Sequence, residues 1–111
     1  MSIFSKIISG EIAADKIYED DLCICINDIQ PQAPVHVLII PKQAIPRLAD
    51  AKPEDKAILG HLMFIAGEVA RTLGVDDAFR LVVNNGEDAG QTVFHLHLHL
   101  LAKKTFAENS L

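Results

Sequence analysis

The nine residues from Val93 to Leu101, Val-Phe-His-Leu-His-Leu-His-Leu-Leu, constrain the fold more than any other stretch of this chain. Alternation with period two marks a half-buried β-strand, because successive side chains point to opposite faces of a sheet. The pattern predicts a strand from Thr92 to Ala102 with Phe94, Leu96, Leu98 and Leu100 on a core. His95, His97 and His99 then form a row on the other face, neighbours standing roughly 6.5–7 Å apart at Cα. Three of the chain's five histidines fall in that row. A face that served only solubility would carry Thr, Lys or Glu, so the row points to chemistry.

The rest of the chain supplies neighbours for such a strand. Residues 2–9 predict a short amphipathic helix stopped by Gly10. Lys16–Glu19 and Leu22–Asn27 predict a hairpin turning at Asp20-Asp21. Ile29 to Pro34 is a loop, since two prolines forbid a central strand there. Val35–Ile40 is a nearly continuous apolar run that carries His36 and is stopped by Pro41, as expected of a buried strand. Pro53, Glu54 and Asp55 open a helix that runs to about residue 73, with the acidic pair at the positive end of the helix dipole. Phe79–Asn84 supplies a fifth strand, and the order βββ-α-ββ with short turns gives an antiparallel α+β domain.

The long helix carries Ile58, Leu62, Ile65 and Val69 on one stripe and Leu59, Met63, Ala66 and Ala70 on a second. Together these are wider than the ~100° that a surface helix usually hides. A homodimer through this helix and an edge strand is therefore expected. His61 falls between the stripes and reads as a surface or interface residue.

With 111 residues the chain has room for one core and one domain. No apolar run approaches the ~20 residues of a membrane span, and Met1 to Ile8 lacks the pattern of a secretory leader, so a cytoplasmic location is expected. Cys23 and Cys25 lie in a strand-like apolar run and read as free buried thiols of a reducing compartment. A net charge of −5 argues against broad binding to nucleic acid, which needs a basic face. Imidazoles and backbone N–H groups would then have to hold any phosphate ligand.

The row admits three readings: a solvated polar face, a metal site, or a nucleophile with its supports. A zinc ion would take His95 and His97 with a distant ligand such as His36 or a cysteine, because three ligands on one straight strand span roughly 13 Å. As a nucleophile, neutral imidazole attacks phosphorus well and forms an adduct labile enough to turn over. Neighbouring imidazoles would fix its tautomer and resist simultaneous protonation. The loop Gly86–Gly90, running into Gln91-Thr92, can offer backbone N–H groups to a phosphate, although Asn85-Gly86 is also ordinary turn chemistry.

The segment His95-Leu96-His97-Leu98-His99-Leu100-Leu101 resembles the motif of the histidine triad (HIT) family, and specifically its Hint branch of nucleoside phosphoramidate hydrolases. Ile3 to Ile8, Tyr18 to Asp21, Asp28 to His36 and Asn84 to Thr92 match further segments in the family's order and spacing, covering roughly residues 2 to 101. The resemblance implies a single domain over residues 1–111, with a five-stranded antiparallel sheet, one long helix, a short N-terminal helix and a dimeric assembly. It implies that His97 is the nucleophile, flanked by His95 and His99, with His36 as a fourth histidine and Thr92 in a position where the branch usually has Ser.

By the same resemblance Asp28 would hold the ribose hydroxyls, although it also reads as the residue that starts the turn before Pro31. Asn27 and Ile29 adjoin it. Phe4, Ile7, Ile12 and Ile29 would wall the base, and Asn84, Gly90, Gln91 and Thr92 would lie on the phosphate side. Expected ligands are purine nucleoside monophosphates (AMP, GMP) and adenosine, with no metal and no cofactor. The expected reaction is cleavage of a P–N bond through a nucleotidyl-histidine. The alternatives are a dinucleoside polyphosphate hydrolase of another branch and a nucleotide-binding or scaffold protein. After Leu101 the chain departs from the branch: residues 102–111 replace the usual Gly-Gly and Trp-Pro-Pro-Gly ending, and the sequence contains no Trp.

Overall fold

The computed structural model describes residues 2–110. Five strands, β1 (Lys16–Glu19), β2 (Cys23–Asn27), β3 (Val35–Pro41), β4 (Phe79–Val82) and β5 (Leu98–Ala102), form one antiparallel sheet in the order β1-β2-β3-β5-β4. Alternation along these strands divides the sheet into two faces. Cys23, Cys25, Val37, Ile39, Leu98 and Leu100 pack under the long helix α2 (Lys56–Thr72), which buries Ile58, Leu62, Ile65 and Val69 against them. Ile24, Ile26, Leu38 and Ile40 face the other way and pack under Phe4 and Ile7 of the N-terminal helix α1 (Ile3–Ser9). The sheet is thus covered on both faces, as the apolar run of β3 requires.

Local chemistry sets the element ends. Ser2 caps α1 by accepting from the Ser5 amide at 3.1 Å, and Gly10 ends it in a left-handed conformation. The first turn of the long helix, Pro53–Asp55, is a 3-10 turn that leads into α2, and the Asp55 carboxylate accepts from the Lys52 amide. At the β1–β2 turn the Asp20 carboxylate accepts from the Leu22 and Cys23 amides, from the Tyr18 hydroxyl at 2.8 Å and from His61 on α2 at 2.6 Å. Burial raises this carboxyl, but the hydrogen bonds outweigh it and hold Asp20 well below the usual carboxylate range. His61, expected at a surface or interface, therefore ties α2 to the hairpin.

Two strand limits differ from expectation by two residues or more. Leu98 begins the ladder, not Thr92, because β3 ends at Pro41 and the chain beyond it takes up the groups that would pair. The Leu96 amide donates to Ile45 O at 2.7 Å, and His95 Nε2 donates to Pro41 O at 2.7 Å. Residues 93–95 form a bend, which leaves Phe94 48% exposed and outside the core assigned to it, whereas Leu96, Leu98 and Leu100 are buried. Likewise β4 stops at Val82, two residues short of Asn84. On α2, Ala66 and Ala70 of the second stripe are buried, while Met63 is 58% and the neighbouring Phe64 62% exposed. Among the described residues no helix is long and apolar enough to cross a membrane.

Candidate active site

Histidine rings gather on the α1 side of the sheet, and the hydrogen bonds decide which nitrogen of each carries the proton. His97 Nδ1 lies 2.8 Å from the carbonyl oxygen of His95. A carbonyl only accepts, so Nδ1 holds the hydrogen and the Nε2 lone pair is left for chemistry. His36 Nδ1 accepts from the Gln32 amide at 2.9 Å, which puts its hydrogen on Nε2. That Nε2–H donates to His99 Nδ1 at 2.8 Å, with Asp28 Oδ2 at 3.4 Å. Neutral His99 must then carry its own hydrogen on Nε2 as a donor.

His95 is built differently from its two neighbours. It is buried, and its Nε2–H is spent on Pro41 O, which leaves Nδ1 to accept from the Ser5 hydroxyl at 3.3 Å. It contributes its main-chain oxygen, while its ring ties α1 to the end of β3. Row geometry therefore survives in part: His99 stands on β5, and His97 lies just before it with ring centroids 5.0 Å apart.

Burial lowers the pKa of His97 and outweighs the opposing effect of the His95 carbonyl bond. For His99, burial and the adjoining imidazoles of His97 and His36 bring it down to about 4, against the pull of Asp28. At neutral pH both rings are uncharged: one presents a lone pair, the other a donor.

A cavity of about 310 Å³ opens onto these rings. Its size falls within the roughly 300–1,000 Å³ of small-ligand sites. At one end it is apolar, with Phe4 and Ile7 of α1 over Ile26 and Leu38 of the sheet. Its other end is polar and takes in Asn27, Asp28, Thr92, His97 and His99. Asp28 Oδ1 accepts from the Gln30 amide at 2.8 Å, so the turn reading and the cavity position hold together. Ile29 is 90% exposed at the rim, and Phe4 meets the His97 ring edge-on at 5.0 Å. A larger groove of about 390 Å³ between β1 and α2 carries Tyr18 and Glu68 but no imidazole.

Several expected residues stand elsewhere. Ile12 is exposed and does not line the cavity. Gln91 is buried with its side chain fully engaged: Oε1 accepts from the Gly86 amide, and Nε2 donates to Pro46 O and Val93 O. The amides of Ala89, Gly90 and Gln91 are bonded to Gly86 O or Glu87 O inside the loop. These residues shape the loop, then, and do not present free N–H groups to a phosphate. Asn84 lies beside Gly90, whose φ of +94° favours glycine. Ser5, Gln32 and Pro41 were not singled out from the sequence, because two of them act through main-chain atoms that no residue pattern encodes.

Asp28, His36 and His99 bring donor atoms within 4.8 Å of one another, close enough to suggest a metal. The Gln32 amide argues against that use, since it leaves the hydrogen on the His36 nitrogen that would bind. Cys23 and Cys25 lie on the α2 face, across the sheet from the triad, and cannot join it around one ion. The Cys25 thiol and burial push Cys23 upward, so it stays a thiol.

Comparison with known proteins fits this geometry. The family model described as HIT domain matches residues 9–106. An uncharacterised HIT-like protein of Synechocystis is 60% identical over 106 residues, covering 96% of this chain and 93% of that protein. Among solved structures, a HIT family hydrolase from Clostridium thermocellum superposes with a TM-score of 0.94 at 43% identity, covering 99% and 96% of the two chains. A histidine triad nucleotide-binding protein from Candida albicans gives 0.82 at 33% identity, covering 97% and 85%.

Proposed function

The chain belongs to the HIT domain family, with the fold of its solved hydrolases, and from that premise we propose that it hydrolyses purine nucleoside 5′-phosphoramidates in the cytoplasm. The observation that carries this reading is the tautomer set: a neutral His97 with a free Nε2, beside a His99 that can only donate from Nε2. The purine lies between α1 and the sheet, and the ribose hydroxyls donate to Asp28. His97 Nε2 forms a bond to phosphorus as the P–N bond breaks. The departing nitrogen keeps the electron pair and takes a proton from the Thr92 hydroxyl, which solvent resupplies. His99 Nε2–H donates to a non-bridging oxygen, where its contribution grows with the charge developing in the transition state.

The imidazole ring of the nucleotidyl-histidine is cationic, stabilised because Nδ1–H still points at the His95 carbonyl. Water then attacks phosphorus and loses a proton to solvent, the Nε2–P bond breaks with its electron pair returning to His97, and the nucleoside monophosphate leaves. No metal or cofactor is called for in this sequence of steps. A second copy of the chain is proposed to pair along α2, where Met63 is exposed, and along the edge strand β4.

The test is to incubate wild type and His97→Ala with adenosine 5′-phosphoramidate and to follow AMP release and an acid-labile adenylyl adduct. Wild type is expected to show both and the variant neither. Equal rates in the two would overturn the assignment of His97, and turnover of diadenosine triphosphate alone would move the chain to the other branch.

A further inference from the structure

The His95 ring lies outside the cavity that holds His97 and His99, yet His95 sets the nucleophile through its main chain. The peptide unit joining His95 to Leu96 stands before β5 begins at Leu98, where no ladder holds it. Its N–H donates to Ile45 O at 2.7 Å, and its carbonyl takes the His97 Nδ1 hydrogen at 2.8 Å. The aim of His97 therefore depends on how firmly His95 is held.

Two groups hold the buried His95 ring. Pro41 O accepts from Nε2–H at 2.7 Å, and Nδ1 accepts from the Ser5 hydroxyl at 3.3 Å. Ser5 has one hydroxyl hydrogen, and its surroundings reserve it for that bond. The Ser2 hydroxyl donates to Ser5 Oγ at 3.2 Å, while Ser2 Oγ accepts from the Ser5 amide at 3.1 Å as the cap of α1. Among the described residues, the bond from Ser5 to His95 is the one hydrogen bond that α1 makes beyond residue 12. Phe4, next to it in the chain, lines the cavity and meets the His97 ring at 5.0 Å and the His95 ring at 6.2 Å. Ser5 itself does not line the cavity, so its hydroxyl reaches the site only through His95.

We propose that Ser5 is a positioning residue for the nucleophile: its hydroxyl pins the His95 ring and so fixes the carbonyl that orients His97. The kinetic consequence rests on the phosphoramidate reading above, whereas the hydrogen-bond order belongs to the free protein. A bond that aims the His97 lone pair counts when phosphorus is attacked, so its loss lowers kcat and leaves KM near its own value. An anchor for α1 alone would behave differently. Its loss would loosen the apolar wall of Phe4 and Ile7, and KM and AMP affinity would move instead.

Ser5→Ala isolates the hydroxyl, because alanine is the best helix former and the main-chain amide that Ser2 caps remains. For adenosine 5′-phosphoramidate, kcat is expected to fall about twofold to twelvefold, the weight of one hydrogen bond. KM, and AMP affinity by calorimetry, are expected to move by less than about twofold. Ser5→Thr keeps a hydroxyl and is expected to recover most of the lost kcat. Proton–nitrogen NMR of the free protein supplies a readout that needs no substrate. In Ser5→Ala the His95 Nδ1 resonance is expected to shift, and the His97 Nδ1 hydrogen to exchange with solvent faster than in wild type. A raised KM with unchanged kcat overturns the proposal, as does an unchanged His97 exchange rate. If wild type cleaves no amide, the phosphoramidate reading fails and the exchange rate alone decides the role of Ser5.

Discussion

Replacing His36 with Phe tests the proton order of the site. Phe keeps a ring against His99 but removes two hydrogen bonds: the acceptor for the Gln32 amide at 2.9 Å and the donor to His99 Nδ1 at 2.8 Å. An orphaned, part-buried amide costs about 1–3 kcal/mol, and His99 adds little because water can reach it, so unfolding free energy should fall by about 1–3 kcal/mol. Catalytically, the lost bond no longer biases His99 towards Nε2–H. One net hydrogen bond of about 0.5–1.5 kcal/mol is a bias of roughly two- to twelvefold, so kcat/KM for adenosine phosphoramidate should drop by about that factor. Loss of the nucleophile in His97→Ala should cost far more. Long-range proton–nitrogen NMR of the imidazoles reads the tautomer directly, independent of any substrate. Wild-type His99 should be protonated on Nε2, the variant should show a mixture, and His36→Gln, whose amide can still donate, should recover part of the bias. A wild-type His99 protonated on Nδ1 would refute the reasoning, as would a variant with unchanged tautomer and rate.

Acid should destabilise the fold through His99. Its folded pKa of about 4 lies below the ordinary 6.5, so below pH 6.5 the unfolded chain binds a proton that the folded one refuses. Stability is then lost between pH 6.5 and 4, on the order of 2–3 kcal/mol, and His99→Phe should flatten urea-unfolding midpoints across that window. The acid limb of kcat/KM should lie below pH 6.5 because burial lowers His97, and a limb above 7 would contradict that. Gly86→Ala, at φ +91° and ψ 159°, should cost about 1–3 kcal/mol in thermal or chemical unfolding, since only glycine adopts that conformation freely. Asp20→Ala should cost about 2–3 kcal/mol by removing the carboxylate that four donors share. It should leave amide turnover per folded molecule within about twofold, because the staple sits beside α2 and outside the cavity.

Much of this protein was readable because its information is local. The continuous apolar run at Val35–Ile40, the alternation from Leu96 to Leu100, the Ser2 and Gly10 caps of α1, and the apolar spacing of α2 each act over a few residues, so element order and core membership followed. Placement failed where distant main-chain groups intervened. Pro41 O and Ile45 O, 54 and 51 residues before His95 and Leu96 respectively, cut the last strand short and turned Phe94 outward. Gln91 resembled a phosphate ligand by position but is consumed by Gly86, Pro46 and Val93.

By itself, then, the sequence determined that three imidazoles would lie close together on a covered sheet near an acidic residue and a glycine-bounded loop. Tertiary structure decided what each imidazole is. Hydrogen-bond partners fix a tautomer, and here they are the carbonyls of His95 and Pro41 and the amide of Gln32, groups that every residue carries and no pattern distinguishes. Only the folded chain makes His97 a lone pair, His99 a donor and His95 a brace.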